Sequence, residues 1–367
     1  MTTDEVPGRP PQFSAMHHSA MRHYVPLGVA FLPQLGFSTC KIAPGLEVRE
    51  CSEGDKHLLK RVNKESSSMI TLMHAVPIQH DSHVICIDEQ VYGQHIADKI
   101  TAELQRQPNH LFPLFSVHDV FKMIVVSLNL FQLFPLYPTP YFISERLDVD
   151  RVHPTRLDTG TGIMWDTWQR YAQPRGHDLT GGGAITCGDI KSAVNVLEKY
   201  YRHDGWMGNR VAVALHNFWN ALFVNESTLS FVALVSILET FCNLSKSEKD
   251  PVTDQIRRNV PKLVPLDAHA RAVTIERIDK IYDTRSEIAH GSFGHDGHGS
   301  LTWGVTHIDA KFSNVDVHLS SELMSIAVKM LHRVIFDPNL LSIIENSKTR
   351  DQERRGIRKY VDALPAS

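Results

Sequence analysis

The sequence predicts an α+β protein: an N-terminal mixed α/β domain over residues 1–150, followed by an all-α helical bundle over residues 188–347. Three observations carry this expectation. Between Val25 and Val91 short apolar runs alternate with turn residues, the pattern of strands. From Gly188 onward apolar positions recur at helical spacing. Between these halves, residues 151–187 hold Pro154, Pro174 and Thr180-Gly181-Gly182-Gly183, a composition that predicts a linker. Residues 348–367 form a basic C-terminal tail.

Taken in order, Leu27 to Leu32, Leu46 to Arg49 and Val84 to Ile87 are expected strands. Asp88 to Arg106, with apolar residues at Val91, Ile96, Ile100 and Leu104, is an expected helix. Asp119 to Phe134 is a second one, stopped by Pro135. In the second half Asp189 to His203 opens with an acidic cap and is amphipathic. Arg210 to Val224 and Thr228 to Leu244 follow, then shorter helices at Asp254 to Pro261 and Ala268 to Tyr282. Two strands at Leu301 to Ile308 and Phe312 to Leu319, and a closing helix from Ser320 to Phe336, complete the prediction.

Composition narrows the function classes. The chain has 367 residues, enough for two or three domains with cores of their own. Hydrophobic residues make up 42% and charged residues 22%, which excludes a disordered or fibrous chain. The net charge of -3 excludes a whole-protein basic field, so any nucleic-acid contact must be local. Five scattered cysteines without a CxxC pair suit a reducing cytosol. No secretory signal is visible at the N-terminus, and the apolar run Val120 to Phe134 falls short of the ~20 residues of a membrane span. A cytoplasmic protein without membrane contact is expected.

The residues suited to chemistry lie late in the chain. Arg285 and His290 are placed five apart on a helix that Gly291 ends. Arginine offers a planar fork matched to phosphate oxygens, and histidine titrates near neutrality. At the helix C-terminus the dipole favours a protonated His290 while Arg285 opposes it. Five helical residues give roughly 500° of rotation and about 7.5 Å of rise, so the two side chains can flank one groove. There Arg285 can neutralise non-bridging phosphate oxygens, and His290 can take a ribose 2′-hydroxyl proton or protonate the leaving 5′-oxygen. One histidine serves both steps poorly, which makes a second copy across a dimer attractive. Upstream, the apolar helix Thr228 to Leu244 carries Ser236, Glu239, Thr240 and Asn243 on one stripe. A carboxylate buried there needs a counter-ion, and Arg285 is the natural one, either as part of a site or as a structural ion pair.

Arg285-Ser286-Glu287-Ile288-Ala289-His290 resembles the R-x4-H ribonuclease motif of the HEPN superfamily, and Ile281-Tyr282-Asp283-Thr284 before it with Gly291 after it resembles the Apea-like branch. In that branch a hydrophobic helix ending in a Leu-Glu pair precedes the motif, as Ser236-Ile237-Leu238-Glu239-Thr240-Phe241 does here. The resemblance covers about Asp189 to Glu345. It implies a HEPN-type bundle that dimerises and brings two motifs to a shared cleft. It implies a metal-independent endoribonuclease, without cofactor, that leaves a 2′,3′-cyclic phosphate. RNA (tRNA, mRNA or rRNA), a second copy of the chain and an antitoxin or anti-phage defence component are the implied partners. Arg285 and His290 then take the catalytic positions and Glu239 the supporting acidic one, with Ser286 beside them. Many active HEPN nucleases carry Asn, Asp or His where Ser286 stands, a departure that bears on activity.

Two alternatives stay open. A non-catalytic HEPN module for dimerisation, or for nucleotide or protein binding, would use Arg285 and Glu239 as structural partners. A metal-dependent hydrolase would use His290, His295, Asp296 and His298, although that glycine-rich spacing fits a solvated loop better. The run Lys348 to Lys359, with six basic and two acidic residues, reads as a solvated helix face before it reads as an RNA contact. In the first half no phosphate-binding loop, paired catalytic carboxylates or metal-ligand spacing is found, and a sensing or positioning role is expected for it only by analogy with fused arrangements.

Overall fold

A computed structural model describes residues 21–28, 35–58, 83–106, 117–131, 137–138, 141–146, 151–156, 184–202, 210–223, 227–245, 247, 250–264, 268–289 and 310–364. They form an α+β structure of one antiparallel sheet and a set of packed helices. The sheet contains β1 (Met21–Gly28), β2 (Thr39–Ala43), β3 (Leu46–Glu50), β4 (His83–Asp88), β5 (Tyr137–Pro138), β6 (Tyr141–Arg146) and β7 (Arg151–Arg156). Its order is β2-β3-β4-β1-β6-β7, with β5 on the end of β1.

Central β1 pairs antiparallel with β4 (Val25 opposite Ile85) and with β6 (His23 opposite Ser144). The β2–β3 hairpin turns at Gly45, whose φ of +73° is in the left-handed region. A Cβ there would also lie 2.6 Å from the Tyr92 backbone nitrogen, so a side chain is excluded twice over. Period-2 alternation gives the sheet two faces. The inner one buries Val25, Leu27, Leu46, Val48, Ile85 and Ile87, and the outer one holds a small cluster of Tyr24, Val84 and Ile143.

The helices are α1 (Glu89–Arg106), α2 (Val117–Asn129), α3 (Cys187–Arg202), α4 (Arg210–Phe223), α5 (Ser227–Cys242), α6 (Val252–Leu263), α7 (Ala268–Ala289), α8 (Ala310–Phe336), α9 (Pro338–Asn346) and α10 (Arg350–Ala363). Helix α2 is buried nearly all round because it is packed between β4 and helices α3 and α4. Its polar residues are accommodated locally: Ser127 Oγ donates to the Met123 carbonyl and Asn129 Nδ2 to that of Val125, both at 2.8 Å. Among the described residues no helix is long and apolar enough to cross a membrane. Helix α5 lies at the centre of the second half, against α4, α6, α7 and α8.

The packing departs from the sequence expectations in four places. Buried apolar residues of sheet and helices form one continuous cluster, joined through α2, rather than two separate cores. Strand β7 lies inside the stretch expected as linker and extends the sheet beyond residue 150. Phe312 to Leu319 is helical, the start of α8, and not a strand. Val315, Val317 and Leu319 alternate, but Phe312, Val315 and Leu319 also fit a helical spacing, and continuity with the apolar run to Phe336 decides for helix. The expected strand at Leu301 to Ile308 lies outside the described residues.

The fourth departure concerns the C-terminal tail and the cysteines. Residues 350–363 form a capped helix, with Thr349 Oγ1 accepting from the Gln352 amide, and it buries Ile357 and Val361 completely. Cys40 of β2 and Cys187 at the start of α3, 147 residues apart, are disulfide-bonded with a Cα–Cα distance of 5.2 Å. Such a bond does not favour the reducing compartment that the cysteine spacing suggested. Cys51, Cys86 and Cys242 are free thiols.

Candidate functional site

Helix α5 is apolar on the sides that meet its neighbours, and it leaves one polar stripe unburied. Ser236, Glu239, Thr240 and Asn243 form the floor of a surface groove of about 330 Å³. The sequence expectation of a buried Glu239 is therefore corrected: its side chain is 27% exposed, because the stripe faces this groove. The hydroxyls of Ser236 and Thr240 turn back to the helix, donating to the Val232 and Ser236 carbonyls at 2.9 and 2.6 Å.

The structure brings Glu239 and Arg285 together. Arg285, on α7, has Nη2 3.7 Å from Glu239 Oε1, a charge contact too long for a hydrogen bond. The same carboxylate oxygen accepts a 3.2 Å hydrogen bond from the Tyr282 hydroxyl. Tyr282 precedes Arg285 by three residues and so shares its face of α7. Burial first, and then the charge of Glu239, pushes the Tyr282 phenol far above its ordinary value, so it is a neutral donor at any physiological pH. Its part was not assigned from sequence, although the i, i+3 spacing from Arg285 was visible. Arg285 is 40% exposed, accessible to a ligand. Ser286 is exposed on the same helix. His290 lies outside the described residues, as does the loop carrying His295, Asp296 and His298.

The walls of the groove come from chain segments far from the motif. Helix α4 contributes Arg210 and Asn217; α10 contributes Arg350, Glu353 and Arg354. Arg210 Nε donates to Glu353 Oε2 at 2.8 Å, and Nη1 donates to the Thr240 carbonyl. The basic C-terminal run, expected as a solvated face, thus directs part of its charge into the groove. No sequence signal connects Arg350 or Arg354 with Glu239; only the docking of α10 does so.

A second polar constellation occupies the sheet. His23 Nδ1 is 2.8 Å from Ser144 Oγ, and His23 Nε2 is 3.2 Å from Glu89 Oε2. Burial lowers the pKa of His23 against the opposing pull of Glu89. A serine, a histidine and an acid in a row invite comparison with a nucleophilic triad. His23 and Ser144 are only 5% and 4% exposed, so substrate has no access, and the network pins β1 to β6 and to the start of α1. Among the described residues no group of three potential ligands could hold a metal ion.

Comparison with models of known families, with curated proteins and with solved structures finds no match to this chain.

Proposed function

We propose that this chain is a metal-independent endoribonuclease with a HEPN-type bundle, acting in toxin or anti-phage defence, and that Arg285 and His290 carry the reaction. The observation that supports this reading is the Glu239–Arg285 contact at the edge of an arginine-lined groove. A carboxylate and a phenol hold an accessible guanidinium on the surface, where a phosphodiester can approach it. In the proposed reaction His290 accepts the ribose 2′-hydroxyl proton, the 2′-oxygen attacks phosphorus, and the 5′-oxygen leaves with a proton from a second His290 across a homodimer. Arg285 neutralises the charge that grows on the non-bridging oxygens. The products are a 2′,3′-cyclic phosphate and a 5′-hydroxyl.

The test compares wild type with Arg285→Ala and His290→Ala on tRNA and total RNA in EDTA. Cleavage by wild type alone, with cyclic phosphate ends, is the expected result. Equal inactivity of all three folded proteins sinks the reading, and wild-type cleavage that EDTA abolishes replaces it with a metal-dependent one.

A second reading, a non-catalytic HEPN module for dimerisation or for nucleotide or protein binding, is favoured by one observation. The contacts of Glu239 with Tyr282 and Arg285 tie α5 to α7, which is also what a structural ion pair does. In that case Arg285→Ala changes stability and leaves no catalytic deficit to measure.

A further inference from the structure

We propose that the outer face of the sheet, beside the β2–β3 hairpin, binds a small amphiphilic carboxylate, with Lys41 and Arg22 holding its head and Ile42 and Val91 its apolar body. The inference goes beyond the ribonuclease reading and does not depend on it.

Strand register builds the site. Lys41 of β2, Glu47 of β3, Cys86 of β4 and Tyr24 of β1 stand opposite one another in a single row across four strands. Arg22 and Asp88 form the next row on the same face. These six residues line a cavity of about 740 Å³, within the range of pockets that take small organic molecules.

Charge selects the head group, because the carboxylates at the cavity are engaged and two of its cations are offered to solvent. Arg49 grips Asp55 through both Nη groups and Glu47 through Nε at 3.1 Å. Asp88 caps α1, accepting from the Val91 amide at 3.1 Å, and meets Arg22 Nε at 3.3 Å. That contact draws the half-exposed Arg22 side chain from β1 over β4, toward the side of Lys41. Lys41 is exposed and makes no hydrogen bond or ion pair among the described residues. A guanidinium and an ammonium approaching from opposite sides suit a carboxylate, while Glu47 and Asp88 oppose a head with a second negative charge.

The apolar side of the cavity lies at the hairpin. A bulge between Lys41 and Ala43 inserts Ile42 as an extra residue, and bulges re-aim side chains at such rims. Ile42 is half-buried, and Val91, in the first turn of α1, is 46% exposed, more than any other large apolar side chain among the described residues. A short hydrocarbon laid between them withdraws this surface from water. The walls are held in advance. The Asp88 amide donates to the Gly45 carbonyl at 2.8 Å, tying the hairpin to α1, and Cys40, next to Lys41, is bonded to Cys187 of α3. A site formed beforehand loses little freedom on binding.

The experiment measures octanoate binding to the full chain by calorimetry, with acetate, octylammonium and 1-octanol as controls of tail and head. Octanoate is expected to bind, and acetate at least about tenfold more weakly, the loss that two buried methylenes produce. Octylammonium and octanol are each expected to bind at least about tenfold more weakly than octanoate, since one charge-assisted hydrogen bond is worth that factor. Arg22→Ala/Lys41→Ala is expected to weaken octanoate at least about tenfold, and Arg22→Lys/Lys41→Arg to keep most of its affinity. Val91→Asp sets a like charge at the apolar rim. It is expected to weaken octanoate with an unchanged melting temperature, because an acid in the first turn of a helix suits the dipole.

A parent that binds no octanoate overturns the proposal, and octanoate binding that every variant leaves unchanged lies elsewhere and overturns it too. Octylammonium or octanol binding as tightly as octanoate overturns the carboxylate head, and acetate binding as tightly overturns the apolar body. None of these outcomes bears on RNA cleavage, which Arg285→Ala and His290→Ala read separately.

Discussion

Arg210 and Glu353, 143 residues apart in sequence, form an ion pair at 2.8 Å that joins the start of α4 to α10. Both side chains are nearly withdrawn from water, and Arg210 also donates to the Thr240 carbonyl on α5. The pair therefore holds three helices around the groove. Removing one partner leaves a buried charge without compensation. Glu353→Ala is expected to cost about 3 kcal/mol, measured by urea denaturation, whereas Arg210→Met/Glu353→Leu should recover most of that loss. Equal destabilisation by the single and the double variant would show that packing, not charge, is at stake.

At Glu239 the balance is different. Its contact with Arg285 is long and partly exposed, so Arg285→Ala should change stability by less than about 1 kcal/mol. On the proposed ribonuclease reading, the same substitution should reduce RNA cleavage by about 10²-fold or more, since in that reading its charge meets a developing oxyanion and acts mainly in the transition state. Tyr282→Phe separates the two effects. It removes one hydrogen bond worth about 1 kcal/mol and leaves Arg285 in place, so cleavage should fall only slightly. A Tyr282→Phe loss as large as that of Arg285→Ala would indicate that positioning by the phenol is as important as the cation.

What the sequence made legible follows from which interactions are local. The helices from Asp189 onward were readable because one apolar face repeats along each, and the polar stripe Ser236, Glu239, Thr240 and Asn243 was readable for the same reason. The Glu239–Arg285 contact could be anticipated because a carboxylate on an otherwise apolar helix requires a cation. Arg210, Arg350 and Arg354 could not, since each is an ordinary surface arginine until α10 docks on Ile357 and Val361. The His23–Ser144–Glu89 network was hidden likewise, because strand register alone sets His23 opposite Ser144.

The disulfide makes a chemical prediction. Under denaturing, non-reducing conditions an alkylating reagent should modify three cysteines, Cys51, Cys86 and Cys242, and reduction should expose Cys40 and Cys187 as well. Intact mass reads the difference directly. Because the bond closes a loop of 147 residues, Cys40→Ala/Cys187→Ala should lower stability by about 2–4 kcal/mol. Modification of all five thiols before reduction would mean that the pair is reduced in the isolated protein.

Acid sensitivity should come from His23 before it comes from the carboxylates. Burial holds the folded-state pKa of His23 below its ordinary value of 6.5. Below that value the unfolded chain binds a proton that the folded chain resists, so stability is complete above pH 6.5 and declines as the pH falls toward the depressed folded value. His216 and His332, also lowered by burial, act with the same sign. Asp55 and Asp337 act in a lower window: burial raises each, but hydrogen bonds from Arg49 and Ser52, and from Tyr360, outweigh it and leave both pKa values below 3.8. Their contribution is lost only as those carboxylates protonate. Urea midpoints measured between about pH 8 and pH 5 should therefore fall in wild type and fall less in His23→Gln, which keeps a polar side chain facing Ser144 but takes up no proton. Parallel profiles would show that His23 takes up its proton equally in the folded and unfolded chain, and a wild type that gains stability over the variant as the pH falls would show an ion pair with Glu89 rather than a neutral network.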